Sequence, residues 1–169
     1  IAGARWDLNS LSTWCAENPE GAALNESICV GMLEHEAELA VAAGLEETPQ
    51  GLWPSRVDAR VRAVIPLSGY MLTFGSDGTQ SVDVPTLFMV GSGAAAADPV
   101  FDATVAYANV GADRKAKVVF DYGEALMFFS SCADSPDIVA LGFPMFCTDP
   151  VWDMDRAHDL TNHFATAFL

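Results

Sequence analysis

The chain has 169 residues, 51% of them hydrophobic, with ten Phe and four Trp, so it can bury a core and is not composed like a disordered segment. Its net charge of −15, from 23 acidic and eight basic residues, repels phosphate backbones and excludes nucleic acid as the expected partner. No apolar run is long enough to span a bilayer, and the first residues lack the basic-then-apolar order of a signal peptide.

In chain order, residues 1–9 read as the tail of a helix, and residues 10–56 as an irregular stretch with one clear helix from Cys29 to Gly44. Met32, Leu39 and Val41 to Ala43 offer that helix an apolar side, Glu34, Glu36 and Glu38 a polar one, and Gly44 a stop. A loop follows, which Trp53-Pro54 is expected to hold down. From Arg60 the rhythm turns to strand, helix, strand, helix. Val61 to Leu67 is a β-branched, apolar strand, followed by a loop from Ser68 through Gly78. Pro85 to Val90 is a second buried strand. Asp98-Pro99 reads as N-cap and first-turn proline of a helix running to Asn109. Ala116 to Asp121 is the third strand, and Asp149-Pro150 repeats the cap-and-proline signal before a last helix. There Ala157, Leu160, Thr161, Phe164, Ala165 and Phe168 form a stripe at helical spacing. Apolar strands alternating with helices argue for an α/β fold with a parallel sheet covered on both faces. Three strands are few for a doubly wound sheet, so residues 57–169 read as half of such a domain and residues 1–56 as a helical, loop-rich insertion.

Four cysteines allow three pairings. The local one, Cys15 with Cys29 and Cys132 with Cys147, is favoured by loop-like surroundings rich in Ser, Asn, Asp and Pro. Disulfides imply an extracytoplasmic or secreted protein. Without a Cys-x-x-Cys, and with no histidine beside either pair, metal binding is not expected, nor is a cofactor.

The series VRAVIPLSGY, VPTLFMVGS, DPVFDATVAYANVG and KVVFDYGEALMFF, closed by a capped helix, resembles the C-terminal half of α/β-hydrolases. The nearest groups are the dienelactone hydrolase-like and platelet-activating-factor acetylhydrolase-like esterases, and the likeness covers residues 57–169. The resemblance implies a doubly wound, mostly parallel sheet and a triad in the order Ser, acid, His. It also implies a small ester as substrate, acted on by a complete parent whose N-terminal half carries the serine. The family acid falls at or near Ala94, in a turn occupied by the four alanines Ala94 to Ala97, and the family histidine falls on Ala125. No Gly-x-Ser-x-Gly elbow is present, since both Gly91-Ser92-Gly93 and Ser68-Gly69 lack the first glycine. Inactivity of this chain alone is therefore the expectation.

Substitutes for the triad are weak on chemical grounds. Asp98 reads as a helix cap, and Glu124, beside the histidine position, is a poor base for a serine at neutral pH. His158 and His163 are five apart on one helix, and His35 sits between two glutamates, so each reads as a surface or structural residue. Cys132 reads as a disulfide partner before a nucleophile. Tyr70, after a strand end, and Phe128 and Phe129, in the histidine turn, are candidate pocket residues, with plain packing the competing role.

Overall fold

The computed structural model describes residues 2–24, 26–69, 71–93 and 103–169. Its centre is the strand β1, Thr86–Gly91, every residue of which is buried. It pairs in parallel with β2, Lys115–Phe120, in the register Thr86 opposite Lys115 through Gly91 opposite Phe120. On its other edge lies the segment 64–67, also parallel, through bridges Val64 to Thr86 and Leu67 to Met89. The expected strand Val61 to Leu67 is thus reduced to two isolated bridges, at Val64 and Leu67, and Pro66 interrupts the pairing between them. Val64 N–H donates to the Pro85 carbonyl, Met89 N–H to the Pro66 carbonyl, and Ser68 N–H to the Met89 carbonyl. The remaining bond in that register would need an N–H at Pro66, which proline lacks.

Alternation along β1 builds two cores. Phe88 and Val90 face one side, where they join Ala103, Ala106 and Val110 around the helix α6, Ala103–Asn109. Leu87 and Met89 face the other and meet Phe120, Met127, Met154 and Ala157 beneath α8, Met154–Phe168. The stripe Ala157, Leu160, Phe164, Ala165 and Phe168 turns to this sheet face as expected, while the Thr161 hydroxyl bonds back to the Ala157 carbonyl. Each buried side chain of β1 contributes roughly 2 kcal/mol of apolar transfer. This is a helix–sheet–helix arrangement of α/β type, built among the described residues on a small parallel sheet. β2 closes one edge with Lys115 and Lys117, charges that discourage further pairing.

The N-terminal region departs from expectation. Residues 2–7 are no helix tail: Asp7 bridges Leu52, and its carboxylate accepts the Ser10 N–H at 3.1 Å as the cap of α1, Leu8–Glu17. The irregular stretch holds helices α1, α2 (Pro19–Leu24), α3 (Glu26–Glu34) and α4 (Glu36–Ala42). A break at His35 (φ −108°, ψ 22°) splits the single helix expected over 29–44. Ile28, Met32, Leu39 and Ala43 keep helical spacing across that break and pack around Leu11 and Trp53, so the apolar pattern carried no sign of it. Gly44, at φ +70°, ends α4 as expected, with Leu45 N–H returning to the Ala40 carbonyl.

Three further differences concern loops. The stretch after Ser68 holds a 3-10 turn, Leu72–Phe74, and α5, Gly75–Gln80, helical despite two glycines. Gly78 is required there because a Cβ would meet the Arg5 carbonyl, and Arg5 N–H donates to the Gly78 carbonyl at 3.1 Å. The cap of α8 is Asp153, which accepts the Arg156 N–H, and not Asp149. Asp149 instead spends its acceptors on the N–H groups of Val151, Trp152 and Glu124. The Asp98-Pro99 cap lies outside the described residues.

Both local disulfides are present, Cys15–Cys29 with Cα atoms 5.8 Å apart and Cys132–Cys147, whose loop holds the short helix α7, Pro136–Ala140, with 4.7 Å. Among the described residues no helix is long and apolar enough to cross a membrane.

Met89→Ala should lose about 3 kcal/mol of unfolding free energy, because Met89 is fully buried at the centre of the sheet. Val119→Ala, on the open face of β2 at 43% exposure, should lose less than about 1 kcal/mol. Urea unfolding measures both. Equal losses would show that β1 is not the central strand. Removing either disulfide as a Cys→Ala pair should cost roughly 3 kcal/mol in the same assay, given loops of 14 and 15 residues.

Candidate functional site

Ligands of parallel α/β sheets gather at the carboxyl ends of the strands, because the loops there converge and the strands end in open space. Three chain turns leave that edge: after Leu67, after Gly91 and after Phe120. The second and third are in direct contact. Ser92 N–H donates to the Phe120 carbonyl at 3.1 Å, and Gly93 N–H to the Gly123 carbonyl at 2.8 Å. Tyr122 N–H donates to the Ser92 hydroxyl at 2.9 Å. Gly91 and Gly123 permit this approach, since a Cβ on Gly91 would run into the Gly123 carbonyl, and one on Gly123 into the Met127 sulfur.

Tyr122 sits at φ +61°, a left-handed turn that brings the chain back toward β1. Gly123 and Glu124 follow, and Ala125 opens a 3-10 turn, Ala125–Phe128. This turn is anchored from below. Asp149 accepts the Glu124 N–H at 2.7 Å, and the Trp152 indole N–H donates to the Asp121 carbonyl at 2.9 Å. His158, on α8, meets the Phe129 carbonyl through Nε2 at 2.6 Å. Ala125 is thus a half-buried position on a turn held at both ends.

Ala125 stands one residue past Glu124, whose carboxyl lies beside Gly93 (a Cβ there would come within 2.6 Å of it). Ala94 to Ala97, Asp98 and Tyr70 lie outside the described residues. Phe128 is half-buried and meets the Phe120 ring edge-on at 5.5 Å within the α8-side core, whereas Phe129 is 51% exposed. His35 faces Glu38 at 3.7 Å, and His163 is exposed beside the Phe164 ring. Cys132 is consumed in its disulfide, whose loop borders a cavity of about 250 Å³ together with Asp149 and Trp152.

The two joined turns supply carboxylates at Asp121 and Glu124, a hydroxyl at Ser92 and no imidazole. Among the described residues no serine or cysteine is hydrogen-bonded to a histidine, and no cluster of His, Cys, Asp or Glu could hold a metal ion. The arrangement frames a site without a nucleophile–base pair of its own.

Two contributors to this edge escape a sequence reading. Asp149 shows in the sequence as Asp-Pro, which signals a helix cap as readily as a loop clamp. Ser68 carries no motif, yet it adopts φ +42°, is 8% exposed, and its hydroxyl has no hydrogen-bond partner among the described residues. Its N–H donates to Met89, which places it at the end of the interrupted strand.

In comparison with known proteins, no family model, no curated protein and no solved structure matches this chain.

Ser68→Gly should raise stability by about 1 kcal/mol, because it removes both left-handed strain and a buried unpaired hydroxyl, less the added chain entropy of glycine. Thermal unfolding measures this. A lower Tm would mean that the hydroxyl makes a bond worth more than the strain it accompanies.

Proposed function

We propose that this chain is the C-terminal part of a secreted serine ester hydrolase of α/β-hydrolase type, inactive by itself because the acid and histidine positions read Ala. The observation that carries the reading is the junction of the two turns. Residues 91–93 and 121–124, each just past the carboxyl end of one of two neighbouring parallel strands, bond to one another directly. Gly93 and Ala125 then stand at the same edge, in the chain order in which the family places its acid and its histidine. The two disulfides support an oxidising, extracytoplasmic location.

In a complete parent with an acid and a histidine at these two positions, a serine from the N-terminal half attacks the ester carbonyl, the histidine takes its proton and passes it to the leaving alcohol, and the acid holds the imidazole in the right tautomer. This chain contributes the frame for the last two groups. Asp149, Trp152 and His158 hold the histidine turn through the backbone, so its position does not depend on the side chain at 125.

A second reading, a catalytically dead α/β domain kept for binding, is favoured by Glu124. Its carboxyl occupies the space beside Gly93 where an acid–histidine pair would form. Fluorophosphonate labelling of the full-length protein carrying Ala94→Asp and Ala125→His separates the two, since a binding domain stays unlabelled.

Ala94→Asp together with Ala125→His, in the full-length protein, should bring kcat/KM for a short-chain p-nitrophenyl ester at least about a hundredfold above either single variant, because triad members act as a unit. A folded double variant that stays at the buffer rate would sink the hydrolase reading of these turns.

A further inference from the structure

We infer that the outer edge of the segment 64–67 takes up a further β-strand, supplied by the N-terminal half of the parent; the source of the strand rests on the reading proposed above. Alternation decides which groups of this segment are already engaged. Val64 N–H donates to the Pro85 carbonyl, and the Val64 carbonyl accepts from Leu87. The Pro66 carbonyl accepts from Met89, and Ser68 N–H donates to the Met89 carbonyl. Residues 64, 66 and 68 thus turn their main chain to β1, so Ile65 and Leu67, between them, turn theirs the opposite way. Among the described residues, neither the N–H nor the carbonyl of Ile65 or Leu67 makes a hydrogen bond.

The side chains at this edge are equally incomplete. Ile65 is half-buried against the α8-side core, whereas Leu67, two residues on and therefore on the same face, is 41% exposed. The two edges of the sheet also differ in how they are protected. β2 carries Lys115 and Lys117, but residues 63–67 carry no charge. Pro66 does not guard the outer edge either, because the N–H it lacks belongs to the β1 side.

This chemistry specifies its occupant. Donors and acceptors of the main chain, repeating every second residue, are matched in register by the main chain of an extended polypeptide, and an apolar side chain on that strand covers Leu67. A second copy of the chain is the poorer occupant, because two surfaces of net charge −15 repel each other. A strand of the same polypeptide meets the edge at the high effective concentration of an intramolecular contact.

The test uses two positions of matched exposure, Leu67 at 41% and Val119 at 43%. Leu67→Cys and Val119→Cys are made separately in the full-length protein and labelled with a maleimide under native conditions. We expect labelling at 67 to be at least about tenfold slower than at 119, since the added strand covers only the first. Hydrogen exchange of the unsubstituted full-length protein gives a second reading that needs no variant. There the amides of Ile65 and Leu67 should be slowed at least about a hundredfold relative to the same amides in this chain alone, while those of Val64 and Ser68 are protected in both. Equal labelling at the two positions, or unprotected amides at 65 and 67 in the full-length protein, overturns the proposal. So does a dimer of this chain in sedimentation that itself slows labelling at 67, because the occupant is then a second copy. Fluorophosphonate labelling of the full-length Ala94→Asp, Ala125→His protein reports on the hydrolase separately: a covered Leu67 in an unlabelled protein keeps the strand and loses the hydrolase, and an uncovered Leu67 in a labelled one does the reverse.

Discussion

Burial of β1 on both faces is the constraint from which the rest of the C-terminal region follows. A strand with Leu87 and Met89 on one side and Phe88 and Val90 on the other demands two apolar covers, which α6 and α8 provide. Its backbone groups, buried with it, demand partners on both edges. β2 supplies one complete ladder. The segment 64–67 supplies the other with one bond short, a deficit that Pro66 imposes and that the bridges on either side of it tolerate. Because all three segments run the same way, their carboxyl ends lie at one edge, where the turns after Gly91 and Phe120 meet.

That meeting is backbone chemistry more than side-chain chemistry. Ser92 and Gly93 bond to Phe120 and Gly123 through main-chain atoms, and Gly91 and Gly123 give the clearance. The turn at residues 121–129 is then fixed by Asp149, Trp152 and His158, each acting on a backbone N–H or carbonyl. A turn held this way does not depend on the side chain at position 125.

The N-terminal layer is joined to the sheet by different means. Residues 2–7 cross to the sheet side without forming a helix, with Arg5 bonding to Gly78 through its N–H and to residues 52 and 53 through its guanidinium. Helices α1, α3 and α4 pack around Leu11 and Trp53, and the Cys15–Cys29 disulfide ties α1 to α3. A cluster of so few fully buried residues leans on that covalent tie, since the staple removes loop-closure entropy that the small core would otherwise have to overcome.

The sequence by itself determined the elements whose signal is local. The β-branched and apolar run at 86–91, the stripe of α8, the stop at Gly44 and the two disulfide pairs were all legible, because periodicity, a left-handed glycine and short cysteine separations each act within a few residues. At the candidate site, Ala125 and its turn were legible as a pattern after a strand. Tertiary structure decided the rest. Asp149 competes between capping a helix and clamping the Glu124 N–H, and only the proximity of a loop 25 residues away settles it. Gly75 and Gly78 argue against a helix locally, yet close approach of Ser10 to Gly75 and of the Arg5 carbonyl to Gly78 makes glycine the residue that fits. The helix break at His35 leaves the apolar spacing intact, so no periodicity could reveal it. The strained, buried hydroxyl of Ser68 and the unmet N–H of Trp53 exist only once distant segments have closed over them, because burial and the absence of a partner are properties of the assembled fold and not of any stretch of chain.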